Sequence, residues 1–465
     1  MRSLKSLLPS FLLLATFASI HCGCKASETD TGTAGDAEDP TTNPADDGGT
    51  PSLDGGATPA DPKPSQQKVL FFNTKKAFET GFFRRLSLEE YRPETNTHAL
   101  IFEPSTNTSI ESKAFVAGKL FFAVNSEYYP FQPDQLWVYD PSQAQSTDNP
   151  RIFWTAPNTA DGKPQQMRVM SIEGKLYASL RPFPSDSKAF EMWLLDPQGT
   201  NHKKLFSYEA YGVGVLNGVQ AAGKIIFHTY DKLLSWDPTK PASANNPRDV
   251  YAVDTNGNSL YHLSGAIGKK VYFFYESAVF EYDASAASGA SNPRPVTPKV
   301  ALFAIHASKI YAACYIDSTF ISKKLCVFDP SKPVSATNPK QLDVFPASRT
   351  LNVVESVGNS LLLLESASPY PKWQFKIYDP SLALSSANPQ VTDVFPGEQA
   401  ILTGSFALDG DRTYYSLYTY NSAGGYHHGI ALLDPSAPIQ ASINPNIKFP
   451  LPQGVEAVEI LMGTF

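Results

Sequence analysis

Short apolar runs broken by polar turns fill almost the whole of residues 68–465. "AGKLFFAVN" (117–125), "EGKLYASL" (173–180), "AGKIIFHTY" (222–230) and "IGKKVYFFY" (267–275) each open on a glycine turn, and each follows another apolar stretch. Runs of this length, rich in β-branched and aromatic residues and bounded by turn residues, read as strands. No stretch beyond the N-terminus places apolar residues at helical spacing. The predicted class is all-β.

A longer pattern sits on these strands. "LCVFDPSKPVSATNPKQLDVFP" (325–346) runs from an apolar strand into Asp-Pro, and through a polar stretch into Asn-Pro. The same frame recurs with its second proline at Pro150, Pro247, Pro293, Pro389 and Pro445. Asp140, Asp237, Asp283, Asp329 and Asp379 each precede the asparagine by nine residues and Asp434 by ten, while Asp196 and Glu103 keep only the first half. The unit is four strands, a to d, with Asp-Pro ending c and Asn-Pro leading into d. Four strands at a period of roughly 40–50 residues predict a β-propeller. Strand b of the first unit (68–74) has no strand a before it, and "GVEAVEILMGTF" (454–465) supplies one from the far end. The expected architecture is eight four-stranded blades closed by the C-terminal strand.

The repeated aspartates read as turn chemistry. Aspartate accepts hydrogen bonds from backbone groups beyond it, proline presets the turn, and the residue before the second proline is biased to extended geometry. No second carboxylate recurs at a fixed offset, so no metal is expected there.

With 42% hydrophobic residues, 29 Phe and 22 Tyr, the chain can bury a large core, and its 38 Pro and 29 Gly suit many turns. The formal net charge of −7 is unevenly placed, because residues 25–67 carry nine acidic side chains against Lys25 and Lys63. The remaining 68–465 is nearly neutral, which argues against a nucleic-acid partner, where a basic stripe is expected. Residues 25–67 hold no aromatics and only Leu53 as a large apolar residue. Such a segment is expected to stay disordered, as an acidic stalk with an end-to-end distance of about 35 Å. Ahead of it, "MRSLKSLLPSFLLLATFASIHCGC" (1–24) has two basic residues, an apolar segment from Leu7 to Ile20, then small residues and cysteine. This is a secretory signal, too short for a stable membrane span.

Candidate chemistry gathers in the b–c loops, which vary where the c–d turns are uniform. Tyr128, Tyr129 and Phe131 lie in "SEYYPFQPDQ" (126–135), and Phe183 in "RPFPSDSKAFE" (181–191). Tyr370 and Trp373 lie in "SASPYPKWQ" (366–374), and Tyr426 and His427 in "TYNSAGGYHHG" (419–429). Aromatics on loops of a rigid scaffold suit stacking on sugar rings or anchoring a protein. The alternative is that they plug a channel mouth and cover blade edges. His427 and His428 are adjacent on a strand and point to opposite faces, against a shared metal ion. Cys314 and Cys326 fall on strands b and c of one unit; in an oxidising compartment a disulfide is expected, and otherwise they are small buried residues. GxSxG, HExxH, CxxC and phosphate-cradling loops are missing. Glu355 and Glu459, on expected inner strands, are carboxylates that a central channel could bring together. No cofactor is expected, and the chain is expected to be monomeric.

The cysteine ending the signal resembles that of bacterial lipoproteins, which implies acylation of Cys24 or Cys22. The repeat resembles bacterial secreted or lipid-anchored β-propeller proteins of the kelch and WD40-like kind, although its Asp-Pro…Asn-Pro turn is neither family's signature. Trp137, Trp154, Trp193, Trp236 and Trp373 do not follow the recurrent tryptophan of quinone-dependent propeller dehydrogenases. The resemblance implies a cell-envelope address, lipid-anchored at an outer membrane or cell surface, or alternatively secreted or periplasmic. The expected function is a binding or scaffold module offering a propeller face to an envelope protein or glycan. The alternative is a polysaccharide lyase or hydrolase with acidic residues in the channel.

Overall fold

In the computed structural model the described residues are 68–464, apart from 78–82, 85–86, 106–107, 127–130, 184–188, 211–214, 253–261, 290, 298, 316–322, 345–348, 358, 368–372, 386–387, 394–398, 410–411, 421–425, 434–445 and 452–454. They form antiparallel sheets in chain order, seven of four strands and one of five. Sheet I comprises residues 68–102 together with 455–464, II 108–155, III 165–209, IV 215–252, V 262–295, VI 300–342, VII 349–393 and VIII 399–451. Within sheets II to VIII, strands a to d lie side by side in sequence order. Innermost strands of successive sheets neighbour one another from sheet VIII through I, II, III, IV, V and VI to VII. The array of repeated four-stranded sheets is propeller-like.

Sheet I is assembled from both ends of the described chain. Val455–Thr464 runs antiparallel to Lys68–Ala77, from Lys68 opposite Thr464 to Lys76 opposite Val455. Tyr91 of sheet I meets Tyr414 of sheet VIII edge to face, with ring centroids 6.5 Å apart.

The core lies between sheets rather than at one centre. Phe121 of strand Lys119–Ser126 packs toward Met167 and Leu176 of sheet III, whereas Leu120 and Phe122 pack toward Val69 and Phe71 of sheet I. Both faces of the strand are buried, so its sequence reads as an unbroken apolar run instead of an alternation. Each fully buried Phe contributes about 2–3 kcal/mol. The a–b hairpins turn on Ala117-Gly118, Glu173-Gly174 and Ala222-Gly223, with positive φ at both residues. That is the two-residue turn that matches strand twist, and glycine at its second position carries the left-handed backbone without strain.

The c–d turns are built alike in sheets II, IV, V, VI and VII. In sheet VI, Asp329 N donates to Asn338 Oδ1 at 2.8 Å, and Asn338 Nδ2 donates back to Asp329 O at 2.9 Å. Nδ2 also reaches Lys332 O and Pro333 O, both at 3.2 Å. The carboxylate of Asp329 accepts from Ser331 N at 3.0 Å and Ser331 Oγ at 2.6 Å. Asp140, Asp237, Asp283 and Asp379 repeat this geometry with Asn149, Asn246, Asn292 and Asn388. The five Asn-Pro peptide bonds are cis. The asparagine side chain therefore holds the loop's two ends together, a role the spacing assigns to aspartate and proline alone. Sheet III has no such asparagine; there Asp196 N donates to His202 Nδ1 at 3.3 Å, so an imidazole stands in for the amide. Asp434 lies outside the described residues.

Because neighbouring strands are antiparallel, a–b hairpins and c–d turns share one side of the array, here the turn face, and b–c and d–a loops share the other, the loop face. Lys68 opens strand b, so the described chain begins on the turn face. Its amide donates to Glu94 Oε1, in the c–d turn of sheet I, at 3.3 Å.

Candidate functional site

The loop face between sheets II and III has the best-defined arrangement of candidate groups. Phe131, just before strand c of sheet II, and Phe183, after strand b of sheet III, meet edge to face with centroids 4.4 Å apart. Both rings are half-buried. Two residues of one b–c loop and the next are thus brought together, 52 positions apart in the sequence. Phe183 is fixed from below, since its amide donates to Pro164 O at 2.9 Å.

Asp134 anchors the same junction. Its backbone N–H donates to Gln165 O at 3.1 Å and its carbonyl accepts from Ala156 N at 2.9 Å. Its carboxylate accepts from Met167 N at 2.6 Å and Ser126 N at 3.4 Å. The residue is 2% exposed, and burial pushes its carboxyl up to about 8 against those backbone donors. In the unfolded chain the group titrates near 4, so between about pH 4 and pH 8 the folded state holds the extra proton. Its stabilising contribution is full below pH 4 and is lost as pH rises through 8. Urea unfolding is expected to show a loss on the order of 2 kcal/mol from pH 5 to pH 8, and Asp134→Asn is expected to flatten that slope.

Other candidates are placed apart. Trp373 opens strand c of sheet VII opposite Ser366, and Tyr426 and His427 open strand c of sheet VIII opposite Tyr420 and Thr419. Tyr128, Tyr129 and Tyr370 lie outside the described residues, as do Cys22 and Cys24. Cys314 and Cys326 are disulfide-bonded with Cα atoms 5.9 Å apart. They are not cross-strand partners: Cys314 faces Lys324 and Cys326 faces Ala312, so the bridge is diagonal across the hairpin.

Glu355 on strand a of sheet VII keeps some exposure, yet the surrounding protein pushes its carboxyl up to about 7. Beside it, Ser356 Oγ shares a 2.9 Å hydrogen bond with His306 Nδ1 of sheet VI, and burial lowers the basicity of that imidazole. The side chain of Glu459 is not among those described. A separate cavity of about 270 Å³ opens between sheets I and II. Its polar groups serve one another: Tyr139 Oη donates to Glu90 Oε2 at 2.8 Å, Arg92 Nε to Glu90 Oε1 at 3.1 Å, and Arg92 Nη2 to Pro141 O at 2.8 Å. That makes it a joint between sheets more than a receptor.

Asp134 went unnoticed in the sequence because nothing marks it locally beyond Pro133 ahead of a strand. Its partners lie in the next sheet, and no short-range pattern encodes them.

No family model matches the chain, nor does any curated sequence. Among solved structures, it is similar to prolyl oligopeptidase B from Galerina marginata, with 14% identity and a TM-score of 0.43 over 71% of this chain and 49% of that one. Oligopeptidase B from Leishmania major is 10% identical with a TM-score of 0.48, over 74% of this chain and 50% of that one. The computationally designed Ika8 protein is 10% identical with a TM-score of 0.40, over 69% of this chain and 85% of that one. The chain spans about half the length of the two peptidases.

Proposed function

We propose that the chain is a cell-envelope recognition module. In this reading the array is an eight-bladed β-propeller, closed by the pairing of the two chain ends and by the remaining junction of sheets VII and VIII. It is held to a membrane by an acylated cysteine, Cys24 or Cys22, through the acidic segment 25–67. It offers its loop face to an envelope protein or glycan. The observation that carries the reading is the Phe131–Phe183 pair, an edge-to-face apolar platform on a junction fixed by Asp134. Half-buried rings held in one geometry lose little conformational entropy when a partner covers them.

The test compares the full-length chain with a Phe131→Ala/Phe183→Ala variant for binding to purified envelope polysaccharides and envelope proteins. Affinity for a bound species is expected to fall at least about tenfold in the variant, since aromatic anchors each contribute more than about 1 kcal/mol. Equal affinity of a variant with an unchanged circular dichroism spectrum would remove the loop face as the site.

One observation favours a second reading, an envelope lyase or hydrolase: Glu355, whose carboxyl sits near 7 where a general acid works best. Turnover of an envelope polysaccharide, abolished by Glu355→Gln, would replace the first reading with this one.

A further inference from the structure

We propose that the turn face docks onto an anionic lipid bilayer, which leaves the loop face pointing outward. The proposal rests on the anchored reading above and adds the orientation of the body on its membrane.

Three independent features fall on this one side. The described chain begins here, at Lys68, bonded to Glu94 of the neighbouring turn, so any N-terminal anchor pulls on this face. The second feature is a positional repeat of charge. Strand b opens with lysine in six successive sheets, at Lys68, Lys119, Lys175, Lys224, Lys270 and Lys309. On the loop face, the first residues of strand c in the same six sheets are Leu88, Gln135, Ala189, Lys232, Ala278 and Lys323, with lysine in two of the six. Folding explains part of the lysine repeat. Lys224 Nζ donates to Ala284 O at 2.5 Å, and Lys270 pairs with Glu281 at 3.0 Å. It does not explain all of it, since Lys175 and Lys309 are exposed, and Lys269 beside Lys270 adds a further exposed lysine. Strand d adds exposed Arg151, Arg294 and Lys340 just beyond the Asn-Pro pairs.

The third feature is apolar. Val334, Leu382 and Leu384 project from the c–d turns of sheets VI and VII with 49, 59 and 44% of their surface exposed. Leu100, Ile152 and Tyr230 are comparably exposed among the described residues but lie outside the c–d turns; apolar side chains gathered at the tips of neighbouring turns mark a surface that something covers. The repeated turn carboxylates stay charged, since the Ser331 hydroxyl and amide hold Asp329 below the usual carboxylate range, but lysines of the same turns pair with two of them, Lys332 with Asp329 at 3.5 Å and Lys240 with Asp237 at 3.1 Å. Glu94, Asp148 and Glu173 are exposed acids on the face, Glu94 accepting from the Lys68 amide. Basic side chains around apolar tips match the chemistry of an anionic lipid surface, where the charges meet headgroups and the tips enter the interface.

The full chain is reconstituted into vesicles of phosphatidylcholine alone, or mixed with phosphatidylglycerol. Flotation reports attachment, and acetylation by a water-soluble reagent, read by mass spectrometry, reports which lysines are covered. On anionic vesicles Lys175, Lys309 and Lys340 are expected to react about tenfold more slowly than on neutral ones, with the protection lost in high salt. Lys163 and Lys299, on the loop face, are expected to react equally on both. A Lys175→Glu/Lys309→Glu/Lys340→Glu variant is expected to abolish slow labelling at the other turn-face lysines while still floating. Flotation without differential labelling sinks the docking proposal and leaves the anchor standing. Flotation with anionic vesicles only supports docking and sinks the anchor, and no flotation with either sinks both. Protection already present without vesicles, and relieved by deleting residues 25–67, would mean that the acidic segment occupies the face and would overturn the proposal.

Discussion

Asn338→Ala is expected to destabilise the protein by about 2–4 kcal/mol, more than the loss of the aspartate that opens the same turn. The amide of Asn338 is 6% exposed and makes four hydrogen bonds, two of them a reciprocal pair with the Asp329 backbone. Alanine would leave the Asp329 N–H and three carbonyls without that partner. Each such group costs about 1–3 kcal/mol when water cannot reach it, and less on the open side of the loop. Asp329→Ala removes the bonds to Ser331 and an exposed ion pair with Lys332 at 3.5 Å, all on the open side of the turn, and is expected to cost about 1 kcal/mol. Asn338→Asp is expected to resemble alanine, because it keeps the acceptor but sets a carboxylate against three carbonyl oxygens. Urea unfolding of the three variants checks the order. If Asp329→Ala proved the most damaging, the turn would be held by its carboxylate instead of its amide.

That ordering also marks where the sequence stops informing the structure. Spacing reveals that Asp329 and Asn338 belong to one device, because the pair recurs at a constant offset. It cannot say which partner is buried, since both are short polar residues that favour turns. The His202 substitute in sheet III is harder still, because it keeps the function of the amide and abandons the spacing. Strand runs such as 117–125 are readable because twofold burial leaves an unbroken apolar stretch. The contacts that join one sheet to the next are not. Val169 N bonds Ser112 Oγ at 2.8 Å, and His306 bonds Ser356, across 57 and 50 residues. No periodicity links such pairs; only the stacking of whole sheets does. The loop-face site inherits this limit. The aromatic loops were visible as composition, while the meeting of Phe131 with Phe183 depended on how sheets II and III pack.

A second large effect is expected where sheets VI and VII meet. Lys376→Met is expected to cost about 3–5 kcal/mol, whereas Glu365→Leu/Lys376→Met together are expected to return close to the starting stability. Lys376 Nζ lies 3.2 Å from Glu365 Oε1 and also donates to Val344 O of sheet VI at 3.2 Å. Glu365 is fully buried and Lys376 is 5% exposed, so removing the ammonium strands a carboxylate far from water. Charge separation of that kind is expensive, but the intact pair is not correspondingly valuable, because both ions were desolvated to form it. What the pair supplies is alignment. It ties strand c of sheet VII, which follows directly on the aromatic segment 366–374, to the end of sheet VI. An apolar pair of similar volume fills the space and cannot select one alignment over its neighbours. The double variant is therefore expected to unfold at nearly the same urea concentration with a shallower transition, as a less uniquely packed native state exposes less new surface. A double variant as unstable as Lys376→Met would show that the ion pair itself, and not the avoidance of a stranded charge, holds the junction.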